Sequence, residues 1–235
     1  INLDLIYAFP GQTLLEWKND LATIQALGAE HLSCYELSYE PGTALTRLRD
    51  AGRWQPAKED TCAEMFSLTR EINAAAGYEA YEVSAFAQPG EASLHNLSYW
   101  RSLNYVGIGA GAAGWRDGVR RRNIEKPHEY EAAVFAGKDP VAESESLAKP
   151  IVLFDHLMMG LRLPGEGVLL ERVRRATGLD PLQEYQAEIA ALCAQHLLEL
   201  VDSQQGQRLR TTAQGLLLLD NILVRFLPDE PSLSV

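Results

Sequence analysis

The 235-residue sequence is poor in cysteine: it has three, Cys34, Cys62 and Cys193, none close to another. That scatter excludes a local cysteine metal motif, argues against a disulfide framework and fits a reducing compartment. Positive charge is scarce, with 21 Lys and Arg against 32 Asp and Glu and a formal net charge of -11. Such a balance argues against general binding to nucleic acid or to an anionic membrane. Long apolar runs are missing too. The most apolar stretches, 151–163 and 215–227, carry Asp155, Arg162, Asp220 and Arg225. They are too short and too polar to span a bilayer, so no transmembrane segment is expected and any membrane contact would be peripheral. No charged-then-apolar leader opens the chain, and a cytoplasmic protein is expected. The chain begins at Ile1 inside a strand-like run, which reads as a fragment with an N-terminal portion missing.

What is present is globular: 46% hydrophobic and 23% charged residues, enough to build a sizeable core. Residues 1–9 open with alternation that sets Ile1, Leu3 and Leu5 against Asn2, Asp4 and Ile6, the period of a strand. Thr13 stands three residues before Glu16, a capping box. Leu14, Trp17, Leu21, Ile24 and Leu27 follow at helical spacing, and Gly28 supplies the stop. Residues 31–37 form a second strand, giving a βαβ unit with parallel strands. Residues 43–58 read as irregular, 59–76 as a helix and 78–86 as a third strand. Residues 87–104 read as a long connection, 105–108 as a short strand, and 137–146 as a polar linker. From about Leu147 the chain is helix-rich. Residues 197–227 run as helix, a hairpin with Gln205-Gly206 at its tip, and a last helix over 213–227 capped by Thr211 or Thr212. That order resembles a winged helix. From Gly165 to the end there are six Arg, no Lys and ten Asp or Glu. A DNA reader carries a basic footprint, so this unit is expected to be structural or to bind a protein, with no nucleic-acid partner.

Four groups of residues could carry chemistry. Asp4, with Leu3 and Leu5 on the opposite face, would look into the interior of a parallel α/β barrel, whose ligands bind at the C-terminal strand ends. It either meets a ligand hydroxyl or amine there or bonds to neighbouring backbone amides. His95, in the run Leu94-His95-Asn96-Leu97-Ser98-Tyr99-Trp100, sits in a loop on this reading. Histidine is a usual axial ligand to heme iron and flat aromatics suit a porphyrin face, but the same residues would also anchor a long loop to the core. The run Gly107-Ile108-Gly109-Ala110-Gly111-Ala112-Ala113-Gly114 contains G-x-G-x-x-G, yet Trp115-Arg116-Asp117-Gly118 follows as a turn where a dinucleotide fingerprint needs a helix. Close backbone approach or tight strand packing explains those glycines instead. Arg116, Arg120, Arg121 and Arg122 form a basic cluster; an arginine fork suits carboxylates such as porphyrin propionates, and a solvated turn is the plainer alternative.

Taken together and in order, these motifs resemble one family. The run from Ile1 to Thr13, INLDLIYAFPGQT, is similar to the fifth-strand motif of the oxygen-independent coproporphyrinogen III oxidase group of radical-SAM proteins. HLSCYEL from His31, with Glu40-Pro41-Gly42-Thr43 after it, resembles the sixth strand and its exit. GYEAYEVSAFA from Gly77, HNLSYW from His95 and the glycine run from Gly107 to Gly114 resemble the heme-chaperone branch of that group. The resemblance implies the C-terminal part of a partial (β/α)6 radical-SAM barrel over residues 1–145, with the heme-motif loop. A helical, winged-helix-like domain follows over 146–235. It implies S-adenosylmethionine at Asp4 and Ile6, and heme at His95, Asn96, Tyr99 and Trp100, with His95 a candidate iron ligand. It implies a [4Fe-4S] cluster in the full-length parent, held by a C-x-x-x-C-x-x-C motif that this chain lacks, so the chain alone is expected to be inactive. The function implied is heme delivery to an acceptor protein. Coproporphyrinogen III dehydrogenase, or a non-catalytic interaction module, are the alternatives. Ala8 departs from the group, which usually has Gly there.

Overall fold

The computed structural model describes residues 1–228. The chain divides into two compact units, Ile1–Ser93 and Leu94–Val235.

In the first unit, β1 (Asn2–Tyr7), α1 (Leu14–Gln25) and β2 (His31–Glu36) form the expected βαβ, with β1 parallel to β2 in the register Asn2 to His31 through Tyr7 to Glu36. Period-two alternation turns Leu3, Leu5 and Tyr7 toward the helices. Thr13 caps α1 in a full capping box: its hydroxyl accepts from Glu16 N, and the Glu16 carboxylate accepts from Thr13 N at 2.8 Å. Gly28, at φ 69, ends that helical segment. Residues 43–58 are not irregular throughout. Thr43 accepts from Thr46 N and starts a short helix, α2 (Ala44–Asp50), a cap signal overlooked in a Pro- and Gly-flanked stretch. The long α3 (Glu59–Ala75) follows and packs with α1 over the sheet. Its buried stripe is Met65, Thr69 and Asn73. Trp17 is fully buried, and its indole N–H donates to Thr69 Oγ1 at 2.8 Å, tying the two helices together.

The expected third strand over 78–86 is instead two short strands, β3 (Glu79–Ala80) and β4 (Ala85–Ala87). The sheet order is β1-β2-β4-β3, and β4 runs antiparallel to both β2 and β3. The chain turns back at 81–84, where the buried Glu82 carboxylate accepts from Ser84 N at 3.0 Å. A continuous strand has no such local polar turn.

The second unit begins with α4 (Leu94–Trp100) and continues into a three-stranded antiparallel sheet, β5 (Ala113–Arg116), β6 (Val119–Asn123) and, after α5 (Pro127–Phe135), β7 (Val141–Ser146). The β5–β6 turn is Asp117-Gly118, both with positive φ, as a tight hairpin requires. The stretch expected to be a linker is β7, paired with β6 from Val119–Ser146 to Asn123–Val141. Its alternating Glu and Ser hid it, because an edge strand with both faces wet shows no apolar period. Residues 105–108 make a single bridge, Tyr105 to Trp115.

The rest of the unit is α6 (Lys149–Gly160), β8 (Val168–Leu169), α7 (Leu170–Thr177), α8 (Pro181–Glu184), α9 (Gln186–Ala194), β9 (Leu198–Ser203), β10 (Gly206–Thr211), α10 (Ala213–Leu217) and α11 (Leu219–Val224). β8, β10 and β9 form a small antiparallel sheet in that order, and β9–β10 is the expected hairpin. Thr212, accepting from Gly215 N, caps α10. The last helix is split at Leu218, whose backbone leaves the helical region. Gly215 sits against Leu197, leaving no room for a Cβ. Helices, three short strands and a wing make this the winged-helix-like arrangement read from the sequence.

Candidate functional site

Of the four predicted groups, one lies in the first unit and three in the second. In the first, Asp4 and Ile6 lie on the sheet face away from α1 and α3, as the alternation requires. Asp4 is not enclosed, however: Asn2, Asp4 and Ile6 are all exposed, Ile6 by 47%. This face carries a polar chain that motif reading missed. Tyr81 O–H and His31 Nε2 are 2.8 Å apart, and His31 Nδ1 is 2.7 Å from Asn2 Oδ1, which also accepts from Ser33 Oγ at 3.1 Å. Asn2 Nδ2 donates to Asp4 Oδ1 at 2.8 Å. An amide oxygen only accepts, so His31 must donate through Nδ1, and its Nε2 receives the tyrosine proton. Every donor in the series therefore points toward the Asp4 carboxylate, which accepts from the Asn2 side chain. His31 is buried, and burial lowers its pKa against the opposing pull of Asp4, in keeping with a neutral ring. The signal for part of this was available. Asn2 and Asp4 share a strand face, and His31 and Ser33 are the cross-strand partners of Asn2 and Asp4. Tyr81 comes from the broken third strand and could not be placed.

In the second unit the His95 motif is helical, not looped. Residues 94–100 hold no Gly or Pro, Leu97 is the buried anchor, and Ser98 Oγ donates to the His95 carbonyl at 2.6 Å. His95 is exposed. Tyr99 lies one turn on, on the same helix face, and meets the imidazole edge-on at a centroid distance of 4.7 Å. Tyr99 in turn meets Tyr105 at 4.5 Å and 85°. Trp100 faces another way: its Nε1 is buried without a partner, and its ring lies beneath the Arg162 guanidinium at 5.9 Å. Asn96 is half-buried. The helix thus separates the motif into an exposed His95–Tyr99 edge and an inward Trp100. Tyr105 joins that edge from outside the motif.

Beside the Tyr99–Tyr105 pair opens a cleft of about 340 Å³. One wall is the β5–β6–β7 face carrying Trp115, Arg120 and Arg122, and the other includes Asp155 and Met159 of α6. The basic cluster predicted from sequence lines it, with Arg116 outside, paired to Asp117 at 3.6 Å. Arg120 spends its guanidinium on Asp155, reaching both carboxylate oxygens at 2.8 and 2.6 Å. Burial raises the Asp155 pKa, Arg120 opposes that rise, and Glu145 adds to it. The glycines serve packing. A Cβ on Gly107 would run into the Ala113 carbonyl, and one on Gly114 would sit 3.1 Å from Gly107 N. Asn123 Nδ2 donates to the carbonyls of Gly107 and Gly109, fixing this loop.

Cys34 is buried, with its thiol pushed up to about 12 by burial, and Cys62 and Cys193 are free. Among the described residues no group of three His, Cys, Asp or Glu side chains could hold a metal ion, and no helix is long and apolar enough to cross a membrane.

The HemN C-terminal domain family matches residues 147–218. The fold is similar to that of coproporphyrinogen III oxidase (HemN) from Escherichia coli, a radical SAM enzyme, with a TM-score of 0.68 and 18% identity over 96% of this chain and 54% of that one. These likenesses define the fold class: the radical-SAM coproporphyrinogen-oxidase architecture with its C-terminal module. Among curated proteins, the heme chaperone HemW of Lactococcus lactis is 34% identical over 98% of this chain and 59% of its own length. HemW of Escherichia coli K12 is 33% identical, covering 97% and 58%, and HemW of Mycobacterium tuberculosis H37Rv 32%, covering 95% and 54%. Residues 147–218 thus match the HemN C-terminal domain family, and over nearly its whole length the chain is similar to proteins of which these three carry the heme-chaperone name. It spans between 54% and 59% of the length of these three relatives.

Proposed function

We propose that this chain is the heme-handling part of a cytoplasmic heme chaperone, taking heme through α4 and passing it to an acceptor protein, with membrane contact, if any, peripheral. The observation that carries the reading is the exposed His95 imidazole held edge-on by Tyr99. An iron ligand must be reachable by a large planar group and held in one orientation, and this pair supplies both. Tyr99 then acts as a positioning residue, and Trp100 fastens the helix from beneath.

Asp4 and Ile6 would meet S-adenosylmethionine on the open sheet face. The His31–Asn2 chain holds the Asp4 carboxylate as a pure acceptor, suited to a hydroxyl or ammonium donor. S-adenosylmethionine bound to a [4Fe-4S] cluster is a source of radical chemistry. The residues present do not fit such a cluster, since the three cysteines do not converge among the described residues. Its ligands would belong to the full-length parent.

Heme titration of the full-length protein separates the chaperone from a coproporphyrinogen III dehydrogenase and from an interaction module. The expected result is stoichiometric binding with a shifted Soret band, weakened at least about tenfold by His95→Ala, the loss of one coordinate bond. Unchanged affinity and spectrum in the variant would overturn the reading.

A further inference from the structure

The cleft beside α4 carries an inference of its own, which rests on the heme reading above. In the β5–β6–β7 sheet, Trp115, Arg120 and Glu145 form one cross-strand row, and Ala113, Arg122 and Glu143 the next. Period two puts both rows on one face, and all six line the cleft. Tyr105, bridged to Trp115, continues the first row at the β5 edge, and Tyr99 packs edge-on against it. The cleft's volume of about 340 Å³ lies within the range of ligand pockets, roughly 300–1,000 Å³.

The arginines of this face are not equivalent. Arg120 is committed to Asp155 through two bonds. Arg122 pairs with Glu125 at 3.3 Å, and both side chains are more than half exposed. An exposed pair of that kind is held weakly and exchanges readily for another carboxylate. Glu143, opposite Arg122, makes no ion pair among the described residues. It places a negative charge beside Arg122, whose guanidinium is held by that exposed pair alone among the described residues.

We infer that this cleft takes one carboxylate-bearing edge of a planar aromatic ligand, a heme propionate edge, with Arg122 as the carboxylate anchor and Tyr105 and Trp115 as apolar walls. Arg120 holds the wall and does not contact the ligand. Glu143 tempers the affinity, so that the ligand is bound and also released, as a carrier requires.

The test uses the full-length protein and two probes, heme and heme whose propionates are methyl esters. Arg122→Gln is expected to weaken heme binding at least about fivefold, as loss of a charge-assisted fork would, and to leave ester binding unchanged. Glu143→Gln is expected to tighten heme binding at least about twofold and not ester binding, through removal of a like charge. Thermal melts confirm that both variants fold. Arg122→Gln binding heme as wild type overturns the inference, and so does equal weakening toward both probes, which marks a structural role. If either happens while His95→Ala still abolishes the Soret shift, the heme reading stands and only this site falls. Wild-type protein that binds no heme removes both.

Discussion

Arg120 and Asp155 face each other across the second unit as an ion pair in which one guanidinium nitrogen, Nη2, donates to both carboxylate oxygens, joining a strand of the small sheet to α6. The side-chain exposures are 48% and 12%, so the carboxylate is the desolvated member. Removing the guanidinium strands a buried charge. Arg120→Ala is expected to cost roughly 1–3 kcal/mol at neutral pH, below the full cost of breaking a buried pair because Arg120 itself is half in water. The folded-state pKa of Asp155 is raised above the ordinary 3.8, so its contribution to stability is fully present below that value and is lost as pH rises through the folded value. The variant's deficit should therefore shrink as pH falls and the Asp155 carboxyl takes up a proton. Denaturant midpoints at several pH values check this, and a deficit independent of pH would exclude the explanation.

His156 gives the opposite slope. It is buried on α6, and burial, with Arg172 adding to it, pushes its pKa from 6.5 down to about 4. A depressed histidine contributes stability above its unfolded pKa, and that stability disappears as pH falls from about 6.5 through 4. The loss is on the order of 3 kcal/mol. The wild-type Tm should fall as pH drops across that window, and the fall should be smaller in His156→Gln.

Gly107 and Gly114 are predicted to be structural. Gly107→Ala forces a methyl onto the Ala113 backbone, and a cost of roughly 1–3 kcal/mol is expected from the displaced chain. Gly137→Ala is a control for left-handed backbone strain alone, since its φ is 67 with nothing within 4 Å. The Gly107 variant should lose more stability, read by urea titration.

Asp4 is exposed, so Asp4→Ala should change stability by less than about 0.5 kcal/mol. On the proposed S-adenosylmethionine role of Asp4, the same change in the full-length protein is expected to weaken binding of that cofactor at least about tenfold. Equal binding by equilibrium dialysis would remove Asp4 from the site.

Much of this was legible in the sequence where one signal dominated. The Thr13–Glu16 box and the Leu3/Leu5 alternation specify a helix and a strand without help, and the turn at Asp117-Gly118 is legible, though the two strands it joins are not. The failures share a cause. β7 is an edge strand of Glu and Ser with no buried face, and β3–β4 is broken by a polar turn around Glu82, so neither carries a clean period. The His95 segment looked like a loop because its helix has Leu97 as its single buried residue. The His31–Asn2–Asp4 series was half visible in strand register, but Tyr81 joins it only through tertiary placement. The separation of Arg120 from Arg122 was invisible, because it depends on where Asp155 of α6 falls.

Ala8 shows what one extra methyl does at a strand exit. Its φ of 66 is a conformation that L-residues enter reluctantly, and it is buried just before Pro10-Gly11. Glycine would relieve that tension; alanine keeps it, at a cost of about 1 kcal/mol. In return the backbone beyond Tyr7 has fewer ways to wander, and the strand end that carries Asp4 and Ile6 leaves the sheet along a narrower set of paths.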